Sequence, residues 1–172
     1  MCSSDLWDDV EKVYIGFPQQ IAAFRNAAID GSIMIEPFAT AIVASGDAVR
    51  FVSTEDFFPH NQIGMVFFSE KFIKERRGVG LRFLKAYVRA LRDYNDALKD
   101  GKYASGPKGD AIVEIMAKGL GAPAAQIRAA YVQAINPDGI PAIESLRKDL
   151  VFFKEQSLVT DKSVTVEQVL DL

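Results

Sequence analysis

The residues able to do chemistry are few. The 172-residue sequence holds one histidine, His60, and one cysteine, Cys2. Zinc and most transition-metal sites draw on His, Cys and carboxylates together, so no metal centre is expected, nor any other cofactor. His60 lies in a turn-prone stretch, where a lone histidine is a surface residue before it is a base. The sequence carries no Gly-x-Ser-x-Gly elbow, no His-Glu-x-x-His and no phosphate-binding Gly-Lys-Ser/Thr loop. Gly78-Val79-Gly80 and Gly119-Leu120-Gly121 follow no strand and do not make a dinucleotide fingerprint. No catalytic residue is expected, since nothing in the sequence asks for one.

Two charged groupings remain. Arg82, Lys85, Arg89 and Arg92 fall on one side of a helical stretch, opposite Leu84, Tyr87, Val88, Leu91 and Tyr94. Asp93 and Asp96 dilute that row and no aromatic residues interleave, so it reads as a solvated helix face rather than a nucleic-acid surface. The second grouping is Asp30–Phe38, DGSIMIEPF. It places Glu36 just past the end of a short apolar run, with Pro37 opening the next helix. Ligands of open α/β sheets gather beyond the carboxyl ends of strands. A carboxylate there also faces helix N-terminal N–H groups. Spacing alone leaves Glu36 equally a ligand contact and a cap of its own helix.

The elements that must position these residues follow from periodicity. Val13–Ile15, Ser32–Ile35 and Val49–Val52 are short β-prone runs. Between them, helices are expected from Pro18 to about Asp30 and from Pro37 to Ser45, with Gly46 as a C-terminal cap. That β-α-β-α-β order implies α/β class with a parallel sheet. A polar stretch, 53–61, marks a break. A fourth strand is expected over Gln62–Phe68, then a short helix from Ser69 to Glu75. Further helices are expected at 79–98, 108–120, 124–134, 143–156 and 166–170. Gly101 is expected to stop the long helix, and Asn136-Pro137-Asp138-Gly139 to turn.

Composition narrows the class. With 49% hydrophobic and 25% charged residues and a net charge of −3, the sequence suits a globular domain. Its interspersed charges argue against nucleic-acid or membrane-surface partners. The opening shows no signal-peptide succession. Cys2-Ser3-Ser4-Asp5-Leu6 is what one frame of a common adaptor tail would encode. Residues 1–6 are therefore expected to be a non-native leader, a short polar arm being the other reading.

IDGSIMIEPFATAIVASGDAVR resembles a stretch of nitrate-, sulfonate-, taurine- and thiamine-pyrimidine-precursor-binding proteins. There an Asp, a strand, Glu-Pro-Phe, a helix and a glycine follow in order. Asp30, Glu36, Pro37, Phe38 and Gly46 match, whereas Ala27 stands where the family usually has glycine. NQIGMVFFSEKFIKERRGVGLRFLKAYVRALRDYNDA resembles the family's strand, short helix and long helix. PDGIPAIESLRKDLVFFKEQSLV resembles its C-terminal signature.

The resemblance implies a two-lobed periplasmic-binding-protein fold of the second type, of which this chain is the C-terminal part. Residues 7–59 would end the second lobe, and residues 60–172 would return, mostly as helices, into the first. It implies the solute-binding component of an ABC importer, periplasmic or anchored outside the membrane, and monomeric when complete. Its partners would be a small ligand, a permease and the permease's ATPase, with no nucleic acid. Glu36, Pro37 and Phe38 would line the interlobe cleft, joined by Asn61 and Gln62 at the crossover strand. Taken alone, an acidic Glu36 suits a ligand with hydrogen-bond donors, such as an amino-pyrimidine. The alternative is an enzyme resembling fungal pyrimidine-precursor synthases, whose Cys- and His-rich iron motif has no counterpart here.

Overall fold

The structure, a computed structural model, describes residues 9–170. The leader expected over residues 1–6, with Cys2, lies outside the described residues. The chain forms two compact units. Described residues of the first are 9–51 and Leu98–Gln133; those of the second are Val52–Ala97 and 134–170. The chain thus changes unit at Phe51–Val52, ahead of the crossover expected near Pro59.

The first unit opens with α1 (Phe17–Arg25), its first turn set by Pro18, and α2 (Phe38–Ala44), whose Ile42 is buried. The two helices pack together. Each ends in a Schellman motif. At α2, Gly46 turns left-handed at φ 77° while Gly46 N–H reaches Val43 O and Asp47 N–H reaches Ile42 O. At α1 the equivalent bonds run from Ala27 to Phe24 and from Ala28 to Ala23. Ala27 therefore sits at φ 52°, in a region where a Cβ is costly. This explains why α1 stops at Arg25 rather than near Asp30, and why a glycine suits this position.

Arg25 then reaches the far end of α2. Its Nη2 lies 2.7 Å from Asp47 Oδ2, and the Ser45 hydroxyl donates to the same oxygen at 2.7 Å. Arg25 first, and Ser45 second, hold the Asp47 carboxyl below the usual range.

The three runs expected as strands take no regular secondary structure and pair with nothing among the described residues. Their side chains stand in solvent: Phe51 is 95% and Val49 89% exposed. Gln20 supplies the one tie between two of them. Its Nε2 donates to Ile15 O and its Oε1 accepts from the Ser32 hydroxyl. The expected parallel sheet is thus not formed within the described residues. A strand needs a neighbouring strand for its backbone, and among the described residues these runs have none.

The rest of the first unit has the chain's paired strands. β1 (Leu98–Lys99) and β2 (Lys102–Tyr103) form an antiparallel hairpin with Leu98 opposite Tyr103. Asp100 and Gly101 make its turn, both with positive φ. Asp-Gly is the preferred dipeptide for such a turn, a signal overlooked when Gly101 was read as a helix stop. α5 (Pro107–Leu120) and α6 (Ala124–Ala129) pack on each other and on β2. Tyr103, Val113, Ile127, Ala130 and Val132 are buried. Burying a side chain of the Val or Ile size contributes about 1.5–3 kcal/mol. α6 ends earlier than expected because Ala130 turns extended and Val132 N–H bonds to Gly101 O. Gly109 lies so close to Ala104 O that a Cβ there would overlap it.

The second unit begins with α3 (Thr54–Phe57), closed by a Ser53–Asp56 capping box, and α4 (Glu70–Asp96), capped by Ser69. Arg76 leaves helical geometry at φ −137°, so the expected short and long helices are one kinked element. Phe68 stacks on Phe72 with centroids 5.1 Å apart and meets Phe83 edge-on. Gly80 is buried under Phe72. Farther along α4, Asn95 exchanges two hydrogen bonds with the backbone of Ile135, and Arg92 holds Pro137 O and Asp138. Gly139, at φ 72°, rests against Val88 and Leu91. α7 (Ile143–Glu155) follows, and a closing 3-10 turn (Val166–Gln168) buries Val166 against it.

Three substitutions check this account. Ala27→Gly should raise the denaturant midpoint, gaining about 0.5–1 kcal/mol by relieving the left-handed alanine. Gly109→Ala should cost about 2 kcal/mol or more, because backbone must move to admit the methyl group. Asp47→Asn addresses pH. The folded-state pKa of Asp47 is depressed, so its contribution is present above the unfolded carboxylate's pKa and is lost as pH falls through the lower folded value. Thermal melts should therefore show a shallower acid limb for Asp47→Asn than for the wild type.

Candidate functional site

Glu36, Pro37 and Phe38 stand together in the first unit, where the 33–35 run hands over to α2. The Glu36–Pro37 peptide is cis, Pro37 is buried and Phe38 half-buried. Glu36 Oε2 accepts from Thr40 N–H at 3.0 Å, inside the first turn of α2. A carboxylate suits that position because the early helix N–H groups lack intrahelical acceptors. The capping role that spacing offered to Glu36 is thus visible in its bonds.

Its other oxygen meets a residue that sequence reasoning missed. Arg50 Nη2 lies 2.6 Å from Glu36 Oε1, with side-chain exposures of 45% and 24%. Fourteen positions separate the two, and nothing local in DAVRFV marks Arg50 as their meeting point. Only the return of the chain after α2 brings it there. The result is a guanidinium and a carboxylate side by side on a part-open surface. One of the five guanidinium N–H donors is spent on Glu36, and among the described residues the rest have no acceptor. The site can therefore address an acceptor through Arg50 and a donor through Glu36.

Asn61 and Gln62 belong to the second unit. Gln62 is held at several points: its N–H donates to Ser145 Oγ, its Oε1 accepts from Ala142 N–H, and its Nε2 donates to Gly64 O. These bonds fasten the start of the 62–68 run to the head of α7, and Ser145 is buried beneath them. Asn61 is half-buried, and its side-chain amide has no partner among the described residues. Beside them a depression of about 360 Å³ is lined by Phe58, His60, Ile143, Ser145 and Lys148 among others. His60 itself is 91% exposed, with Nδ1 3.8 Å from Glu55 Oε1.

In the basic row on α4, Arg92 is committed to the turn at Pro137–Asp138. Lys85 and Arg89 flank Leu81, Leu84 and Val88 along a shallow groove. Among the described residues no three His, Cys, Asp or Glu side chains gather as metal ligands do. No helix of the described residues is long and apolar enough to cross a membrane.

The model of the NMT1-like family matches residues 5–104. The match includes Glu36-Pro37-Phe38, Arg50, Asn61 and Gln62, and it starts inside the segment read as a leader. No curated protein and no solved structure matches the chain. With more than half of its residues inside that family model, the chain belongs to the NMT1-like family, a family of nitrate-, sulfonate- and taurine-type substrate-binding proteins.

Proposed function

We propose that the protein is the C-terminal part of the extracytoplasmic solute-binding component of an ABC importer. It would hold a small ligand between two lobes and deliver it to a permease and its ATPase. Membership of a substrate-binding family supports the reading. So does the junction of the 33–35 run with α2, where a polar pair waits beside a part-open surface. Binding would work as a population shift: a ligand touching both lobes stabilises their closed arrangement without covalent chemistry. Residues 7–59 would then end one lobe and those from 60 onward would return into the other. Such a protein works outside the cytoplasmic membrane, in the periplasm or anchored to the cell surface.

Arg50 changes the ligand preference. Glu36 alone favoured a donor-rich, nitrogenous ligand. Paired with Arg50 it is charge-balanced, and the free guanidinium donors suit sulfonate, carboxylate or nitrate oxygens. We therefore place an anionic oxygen group of the ligand on Arg50, with any amino group turned to Glu36. Phe38 would form the apolar wall.

A thermal-shift screen on the polypeptide, with any flanking sequence its gene encodes, tests this. The panel holds taurine, alkanesulfonates, nitrate, bicarbonate, thiamine and its pyrimidine precursors. A true ligand at a hundred times its Kd should add about 2.7 kcal/mol, or roughly 5–10 °C in Tm. Arg50→Ala should weaken that ligand about tenfold or more, and Glu36→Ala should weaken amino-bearing ligands most. A cooperative melt that no compound moves would count against the binding reading. A clear shift that both variants leave intact would move the site elsewhere.

A further inference from the structure

Arg50 meets Glu36 at the end of a segment that little else holds. Ala48 and Val49, which lead into it, make no hydrogen bond among the described residues. The last fixed point before Arg50 is Asp47. Its N–H closes the Schellman turn on Ile42 O, and its Oδ2 accepts from the Ser45 hydroxyl and from Arg25. Arg25 gives that oxygen two donors, Nε at 3.2 Å and Nη2 at 2.7 Å. Three residues of extended chain span at most about 10 Å, so the place where Asp47 is pinned limits where Arg50 can stand.

The other side of the pair is braced from the same helix. α1 buries none of its residues, yet it packs on α2 and reaches out through two polar side chains. Gln20 accepts from the Ser32 hydroxyl, four residues ahead of Glu36, and Arg25 holds Asp47, three residues ahead of Arg50. Both approaches to the Glu36–Arg50 pair are thus tied to one rigid element. An exposed ion pair such as Arg25–Asp47 adds little to stability. What it can fix is direction.

We propose that Arg25 and Asp47 are positioning residues for Arg50, and that through it they set the affinity of the site for the anionic group of its ligand. This rests on the reading of Arg50 as the group that holds that anion. A guanidinium already held in its bound direction has less side-chain freedom to lose when an oxyanion arrives. Without the brace, Arg50 would swing with the 48–50 segment and bind the anion about three- to tenfold more weakly. Glu36 would stay fixed by the Thr40 N–H, so the loss would fall on the anionic group and not on an amino group.

Nitrogen-15 spectra of the guanidinium groups, taken on the same polypeptide as the thermal screen, test the brace without a ligand. Arg50, assigned by the signals that vanish in Arg50→Lys, should show hindered, separately resolved Nη–H signals in the wild type. Arg25→Ala and Asp47→Ala should merge them into the averaged signal of a free arginine while circular dichroism melts stay cooperative. Arg25→Lys, which keeps the charge and a donor, should restore most of the hindrance, as a general loosening of the fold would not allow. Titration with taurine and with methanesulfonate then reads the affinity, and Arg25→Ala should weaken both by the same factor. Arg50 signals that stay hindered in both alanine variants would overturn the proposal, as would averaged signals in the wild type. Binding that Arg50→Ala abolishes but Arg25→Ala leaves intact would overturn it and spare the ligand reading. Binding that Arg50→Ala leaves intact would overturn both.

Discussion

Each residue brings a backbone donor and acceptor that must find partners once water is removed. A helix meets that demand from within, whereas an extended run must borrow its partners from a neighbour. In this chain the helices therefore stand complete, down to their Schellman ends and serine caps. The β-prone runs at 13–15, 33–35, 49–52 and 62–68 are held in place by helices and side chains instead. Gln20 bridges Ile15 and Ser32, and Gln62 ties its run to α7. The one ladder among the described residues, β1–β2, is the one whose two strands a two-residue turn brings together.

Where helices must be joined to irregular chain, the same need is met by side chains. Asn95 replaces a strand neighbour for Ile135, offering an acceptor and a donor from one amide. Arg92 does the same for Pro137 O while pairing with Asp138. These bonds lay the 135–139 turn along α4 closely enough that Gly139 touches Val88 and Leu91. A solvated charge row by sequence thus contains one residue that is structural. Helical periodicity shows that Arg92 faces away from the apolar stripe, but not that a turn 45 residues later arrives there.

This sets what could be read from sequence. Most helix starts were legible, since their signals are local, such as Pro18, Ser69 and apolar residues at three- and four-residue spacing. By contrast, α1 and α6 end about five residues early, and α3 lies in a stretch read as a break. Local conflicts escaped, such as the left-handed Ala27 that ends α1 early and the Asp100-Gly101 turn hidden behind a long helix. The strand runs were legible as runs, but pairing is a property of two segments and no single one encodes it. The Glu-Pro-Phe cluster was visible because its residues are adjacent. Arg50 was not, because the contact that gives it meaning closes a loop of fourteen residues.

The Glu36–Arg50 pair also shows how a site's chemistry can invert when one neighbour is added. A lone carboxylate at the mouth of a helix repels anions and attracts donors. Beside Arg50 its charge is balanced, and the exposed part of the pair is the guanidinium, 45% open against 24% for the acid. An exposed pair of this kind adds little to stability, on the order of 0–1 kcal/mol, so stability alone gives little reason for it. Its geometry gives more. Glu36 is fixed by the Thr40 N–H, so it can orient Arg50, and an oriented guanidinium loses less entropy when it grips a planar or tetrahedral oxyanion. On the proposed ligand reading the carboxylate would act chiefly on its neighbour, and the recognising group would be the one the motif did not contain.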